Sequence, residues 1–253
     1  MYTWGIFMNY FKIKDLTCKI VYTFVLFAGA LLLGIGAAVW AERMDIKKEE
    51  TASGQDAVQV TTQLPNKETI KRVALTFDDG PNAIYTPILL DGLKERGVKV
   101  SFFVLGEAVE QHPKIVQRAH EEGHLIGVHA YEHVDLYHMS DAEAVAQVDR
   151  TNAAICAVTG VTAMYIRPPY GRWKEELEYE VQMIEALWDI DPRDWDCENA
   201  DEIVRCVLKE VTDGSIILMH DASKSSVQAA LTIVDALQEQ DYEFVTIDAL
   251  IAE

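Results

Sequence analysis

The 253-residue chain carries 22 basic and 41 acidic residues, a net charge of −19, and 49% of it is apolar. That acidic balance argues against nucleic acid or an anionic lipid surface as the main partner, since both demand a basic footprint; a neutral or cationic polymer suits it better. Once an apolar N-terminus is set aside, the length accommodates one large domain, not two.

The run from Ile20 to Ala41 contains no charged residue and is rich in Leu, Ala, Gly and Val. Roughly 20 such residues reach across a bilayer. Lys12, Lys14 and Lys19 precede the run and Glu42 is the first charge after it, so the basic end is expected in the cytoplasm and the remainder outside. The expected organisation is a cytoplasmic N-terminus at 1–19, a transmembrane signal-anchor at 20–41, a polar linker at 42–69 and a single folded domain at 70–253. Val39-Trp40-Ala41 also passes as a small-residue cleavage site, so a cleaved, secreted form stands beside the anchored one. Without residues 1–41 the chain loses three lysines and one aspartate, leaving 19 bases against 40 acids, or −21. Cys18 lies before the apolar run; Cys156, Cys197 and Cys206 leave an odd number beyond it. That is no disulfide framework. Free thiols are expected, with Cys197–Cys206 as a conceivable bridge.

From about residue 70, short β-rich runs alternate with longer amphipathic stretches. Strands are expected at Arg72–Phe77, Val100–Val104, Leu125–His129, Met164–Ile166, Ala186–Ile190, Ser215–Met219 and Phe244–Ile247. Helices are expected at 85–96, 107–122, 140–158, 174–184, 200–211 and 225–239. Ser140-Asp141-Ala142-Glu143 and Asn199-Ala200-Asp201-Glu202 have the cap-then-Glu spacing of a helix start, and Gly97, Gly123, Gly160 and Gly214 sit where helices should stop. Such alternation with fully apolar strands predicts an α/β fold with a mainly parallel sheet. An open doubly wound sheet and a barrel both fit that pattern. Polar clusters after the first, third, fourth, fifth and sixth strands favour a barrel, whose C-terminal rim gathers successive loops, and seven strands predict an incomplete or distorted (β/α) barrel.

The first cluster, Thr76-Phe77-Asp78-Asp79-Gly80, ends in two adjacent carboxylates that point to different sides; one can bind a metal while the other acts as a base. In the second, His129 and His133 have the i, i+4 spacing of a metal pair. Two imidazoles and one carboxylate leave an open coordination position, the pattern of catalytic zinc. Such a metal acidifies water and polarises a carbonyl. Arg167, ahead of the stiff Pro168-Pro169 pair, would hold a neighbouring carboxylate ionised, and the Tyr170 amide can face an oxyanion. Asp194 and Trp195 could orient and shield a histidine. His220, the remaining histidine at a strand end, is the natural general acid. His112, His120, His124 and His138 are expected at the surface.

In this order the TFDDG, HxxxH, RPPYG, DxxDW and LxH clusters resemble the polysaccharide deacetylase family with the NodB homology domain (carbohydrate esterase family 4), over about residues 70–250. The resemblance implies a distorted (β/α) barrel. It implies that Asp78 is the catalytic base, and that Asp79, His129 and His133 hold a divalent metal, usually zinc, sometimes cobalt or nickel. Arg167 then partners the base, the Tyr170 amide serves the oxyanion, and Trp195 and Leu218 wall the acetyl-methyl pocket, with Pro168 beside the substrate. His220 is the general acid, tuned by Asp194. The implied activity is removal of N-acetyl groups from peptidoglycan, at GlcNAc or MurNAc, or from a chitooligosaccharide. An O-acetyl polysaccharide esterase and a non-catalytic glycan-binding wall or sporulation protein are the rivals. The chain departs from the family at Ala130, where Ser or Thr usually braces the loop, and at Val128, often Asn; looser bracing of the metal loop is expected from this.

Overall fold

A computed structural model describes residues 70–251. The apolar run at 20–41, the linker at 42–69 and Cys18 lie outside the described residues. Among the described residues no helix is long and apolar enough to cross a membrane, and Cys156, Cys197 and Cys206 are free thiols.

The central strand is β1 (Lys71–Asp78), buried from Val73 to Asp78. It lies parallel to β2 (Ser101–Val104) on one side and β6 (Ile216–His220) on the other, while β7 (Tyr242–Phe244) pairs with its first three residues. Beyond β2 come β3 (Leu125–Val128), β4 (Tyr165–Ile166) and β5 (Ile184–Glu185), giving the order β5-β4-β3-β2-β1-β6 with every pairing parallel. The sheet curls into a half-barrel. Its free edges approach each other where Ile190 bridges Ile217, with Leu218 N–H donating to Ile190 O at 2.9 Å.

Around it lie α1 (Tyr85–Glu95), α2 (Gly106–Gln111), α3 (Pro113–Glu121), α4 (Asp141–Thr159), α5 (Glu178–Val181), α6 (Ala200–Glu210), α7 (Lys224–Gln238) and α8 (Ile247–Ile251). Ser140 and Glu143 form the expected capping box of α4, which stops at Gly160 at φ 77°, a left-handed position that glycine occupies without a Cβ penalty. The Asn199 side chain caps α6. Helices α6 and α7 turn Ile203, Val204, Val207, Val227, Ile233 and Val234 inward, against a core that includes Leu75, Phe77, Leu89, Leu93 and Ile217.

Four expectations need correction. The helix foreseen at 107–122 is two helices, because Pro113 lacks a backbone N–H and begins α3 while His112 is non-helical at φ −130° and ψ 50°. At 174–184 only a 3-10 turn (Glu175–Leu177) and the four-residue α5 form. The fifth strand is Ile184–Glu185, not Ala186–Ile190: Asp189 turns its carboxylate onto the Ile216 amide at 2.8 Å and the chain crosses toward β6. The last strand ends at Phe244, and Ile247 already opens α8.

Candidate active site

Parallel register is what assembles the site. Asp78 stands beside both Phe103 and His220, and Val128 beside Val104 and Ile166. The strand ends are therefore level, and Asp79, His129 and Arg167, each one residue past such an end, meet on one rim. A cavity of about 460 Å³ there is lined by Asp78, Asp79, His129, His133, Pro168, Tyr170, Trp188, Asp191, Trp195, Leu218 and His220.

Asp79 Oδ1 lies 3.3 Å from His129 Nε2 and 3.6 Å from His133 Nε2. Ligands about 2.1 Å from a tetrahedral ion stand roughly 3.4 Å apart, so the three atoms already have the spacing of one ion's coordination shell. Asp79 Oδ1 is buried without a hydrogen-bond partner, which suits an atom kept for a cation. Asp79 also adopts φ 70°, a conformation uncommon outside glycine and often found at functional sites. Burial would raise its pKa, yet the neighbouring imidazoles of His129, His133 and His220 hold it below the usual carboxylate value. His129 Nδ1 is 2.6 Å from the Arg167 carbonyl. Donation from Nδ1–H fixes the tautomer that leaves Nε2 free as a ligand. The donor set thus fits a divalent metal.

Arg167 is fully buried. Its guanidinium donates to Asp78 Oδ1 at 2.8 Å, Thr76 Oγ1 at 2.7 Å, Ala186 O at 2.7 Å and Leu187 O at 3.0 Å. It also packs on the Phe103 ring, 4.3 Å from the centroid. A buried cation is tolerated because its charge and its donors are matched. Asp78 is thereby held with one oxygen on Arg167, while Oδ2 lies 3.9 Å from His129 Nδ1.

Across the cavity, His220 Nδ1 is 2.9 Å from Asp194 Oδ1, and the other Asp194 oxygen accepts the His220 backbone N–H at 2.9 Å. This leaves His220 Nε2 toward Asp79, 3.9 Å from Oδ2. Burial alone would depress the imidazole pKa; the hydrogen bond and charge of Asp194, joined by Asp78 and Asp79, raise it to about 9. A protonated Nε2–H at neutral pH is what proton donation needs.

Tyr170, at φ 62° within the tight turn Pro169–Gly171, is exposed and sets its ring 4.7 Å from that of His133. The amides of Gly171 and Arg172 are bonded back to Pro168 and Pro169. Leu218 is buried at the cavity floor, and Trp195 is 58% exposed beside it.

Every residue singled out above lies in or directly behind this cavity. Sequence reasoning missed Thr76, which donates to Ile217 O while accepting from Arg167, and the wall residues Trp188 and Asp191. Trp188 had a signal, an aromatic residue three positions before the Asp191 cluster. Asp221, next to His220, is 1% exposed, accepts from Thr86 Oγ1 and has its other oxygen unpartnered. A Cβ on Gly80 would stand 2.7 Å from this carboxylate, so a side chain there would have to displace it. His124, expected at the surface, is buried: its Nδ1 accepts the Val100 amide and its ring sits edge-on to Phe102.

Residues 66–186 match the family profile described as polysaccharide deacetylase. The chain is 42% identical over 191 residues to a peptidoglycan-N-acetylglucosamine deacetylase of Listeria monocytogenes, an alignment covering 76% of this chain and 41% of that one. It thus spans about two fifths of that relative's length. It is 39% identical over 153 residues to a chitooligosaccharide deacetylase of Sinorhizobium fredii, covering 59% and 71%. The solved structure of peptidoglycan deacetylase PdaC from Bacillus subtilis superposes with a TM-score of 0.70 at 40% identity, covering 72% of this chain and 90% of that one.

Proposed function

Because the chain belongs to the polysaccharide deacetylase family, we propose that it is a metal-dependent hydrolase removing N-acetyl groups from an extracellular aminoglycan, with peptidoglycan as the first candidate and chitooligosaccharide as the second. The observation that carries this reading is the meeting of a carboxylate on a buried arginine, an Asp-His-His ligand group and an Asp-bound histidine around one cavity.

A divalent metal on Asp79, His129 and His133, with zinc expected and cobalt or nickel as substitutes, would acidify water and polarise the amide carbonyl. Asp78, oriented by Arg167, takes the proton of the attacking water. The Tyr170 amide donates to the oxygen that gains negative charge. As the carbon–nitrogen bond breaks, His220 Nε2–H protonates the departing amine and Asp194 stabilises the imidazolium. Acetate and a free sugar amine result, and return of the proton from Asp78 to His220 resets the site, so the net reaction is amide plus water giving acid plus amine. Trp195 and Leu218 enclose the acetyl methyl, Pro168 backs the turn beside it, and the exposed Tyr170 and Trp195 rings offer surfaces for a sugar face. The apolar run at 20–41 supports an anchored protein with its catalytic domain outside the cell, or a secreted one if that run is cleaved.

The test is acetate release by the purified protein from peptidoglycan and from chitooligosaccharides, with and without chelator and with added zinc or cobalt. Chelator-sensitive release is expected. Absence of release from both glycans by a folded, metal-loaded protein would overturn the N-deacetylase reading and direct attention to ester substrates.

A further inference from the structure

The segment joining the two metal-pair histidines leaves β3 through Ala130, which is fully buried at φ 68°. A residue with a Cβ does not adopt that conformation without support. Its support comes from two sides. The carbonyls of Ala130 and Tyr131 accept the amides of Gly106 and Glu107, both at 3.1 Å, in the first turn of α2. The next two amides, Tyr131 N–H and Glu132 N–H, donate to a single side-chain oxygen, Gln147 Oε1, at 3.0 and 2.9 Å. Both partners are donors, so the carbonyl end of the carboxamide is the end that faces the loop. Gln147 lies in the second turn of α4, on a helix fixed at its start by the capping box and seated through Ala144, Val148 and Thr151.

We propose that Gln147 is a positioning residue of the metal site: its one oxygen fixes two of the four peptide planes between His129 and His133, and so the separation and direction of their imidazoles. The chain carries Ala at 130 and therefore has no side-chain hydroxyl there to brace the turn; the brace comes instead from a glutamine 17 positions away from Ala130 along the chain. This inference rests on the reading of Asp79, His129 and His133 as metal ligands. Groups that support a ligand from behind alter metal affinity although they never touch the ion.

The test measures zinc affinity of the purified full-length protein by competition with a chromogenic chelator, alongside circular dichroism. Gln147→Met keeps the length and removes the acceptor; it should weaken zinc binding about ten-fold or more. Gln147→Glu retains an acceptor oxygen and should stay within about three-fold of wild type. If Gln147→Met does not fold, Gln147→Asn, which withdraws the oxygen by one methylene, takes its place with the same expectation. Wild-type affinity in a folded acceptor-less variant, or an equal loss in Gln147→Glu, overturns the positioning role. Absence of zinc binding in the wild type would instead overturn the metal reading, and this role with it.

Discussion

Replacing Arg167 by methionine should destabilise the domain more than its single ion pair suggests. The side chain is fully buried and four donors are engaged at 2.7–3.0 Å. Methionine keeps the contact with Phe103 but leaves the Asp78 carboxylate, itself 4% exposed, without its cation. An unpaired buried charge costs about 3–5 kcal/mol, and the stranded carbonyls of Ala186 and Leu187 add about 1 kcal/mol each. A total of about 5–7 kcal/mol lowers the midpoint of a domain this size by roughly 10–28 °C. Urea and thermal unfolding of the metal-free protein would read it. The control is the double variant Arg167→Met with Asp78→Leu, in which neither member of this buried pair remains; it should recover most of the loss. A single variant within about 1 kcal/mol of wild type, or a double variant no more stable than the single one, would refute the reasoning.

In the metal-free protein the His220 imidazole should titrate at about 9 by NMR, and Asp194→Asn should lower that value, because burial then opposes the charge with less to offset it. The folded pKa lies above the ordinary 6.5, so the associated stability is fully present below pH 6.5 and lost as the pH rises through about 9; a His220 titration unmoved by Asp194→Asn would refute the assignment. His220→Ala should reduce turnover by about 100-fold or more with metal still bound, whereas His129→Ala should lose the metal itself, as read by elemental analysis; full turnover in the first or full metal content in the second would remove the assigned role. Burial raises the Asp221 carboxyl to about 6, against a hydrogen bond from Thr86 that lowers it. Its contribution is fully present below pH 3.8 and lost as the pH rises through about 6. Asp221→Asn should therefore gain thermal stability relative to wild type between about pH 4 and pH 7, and a difference independent of pH would count against an ionisable Asp221 there.

Local signals were read correctly where local physics decides. The capping box at Ser140 and the glycine stop at Gly160 depend on a few neighbouring residues and stand as expected. The helix expected at 107–122 breaks for an equally local reason, the missing N–H of Pro113, which starts a second helix. The fifth strand failed for a different one. Ala186–Ile190 is apolar enough to be a strand, but its backbone is claimed by Arg167, which takes the carbonyls of Ala186 and Leu187, and by β6, which takes the amides of Asp189 and Ile190. His124 carries no surface-or-core signal of its own, because nothing near it in sequence reveals that the Val100 amide, 24 positions earlier and just ahead of β2, needs its Nδ1.

By itself the sequence determined which chemical groups are present and that each follows a strand: the carboxylate pair at Asp78 and Asp79, the His129 and His133 spacing, and the lone His220. Those are properties of residue type and short-range periodicity. The division of labour among them was decided only in three dimensions. Parallel register places His220 level with Asp78, Arg167 at the end of β4 reaches Asp78 past the two intervening strands β3 and β2, and the turn between the metal-pair histidines is held by α4 through Gln147. Charges and hydrogen bonds act across a few ångströms of space, and residues 89 positions apart in the chain come within that range only when the sheet curls and its strand ends align.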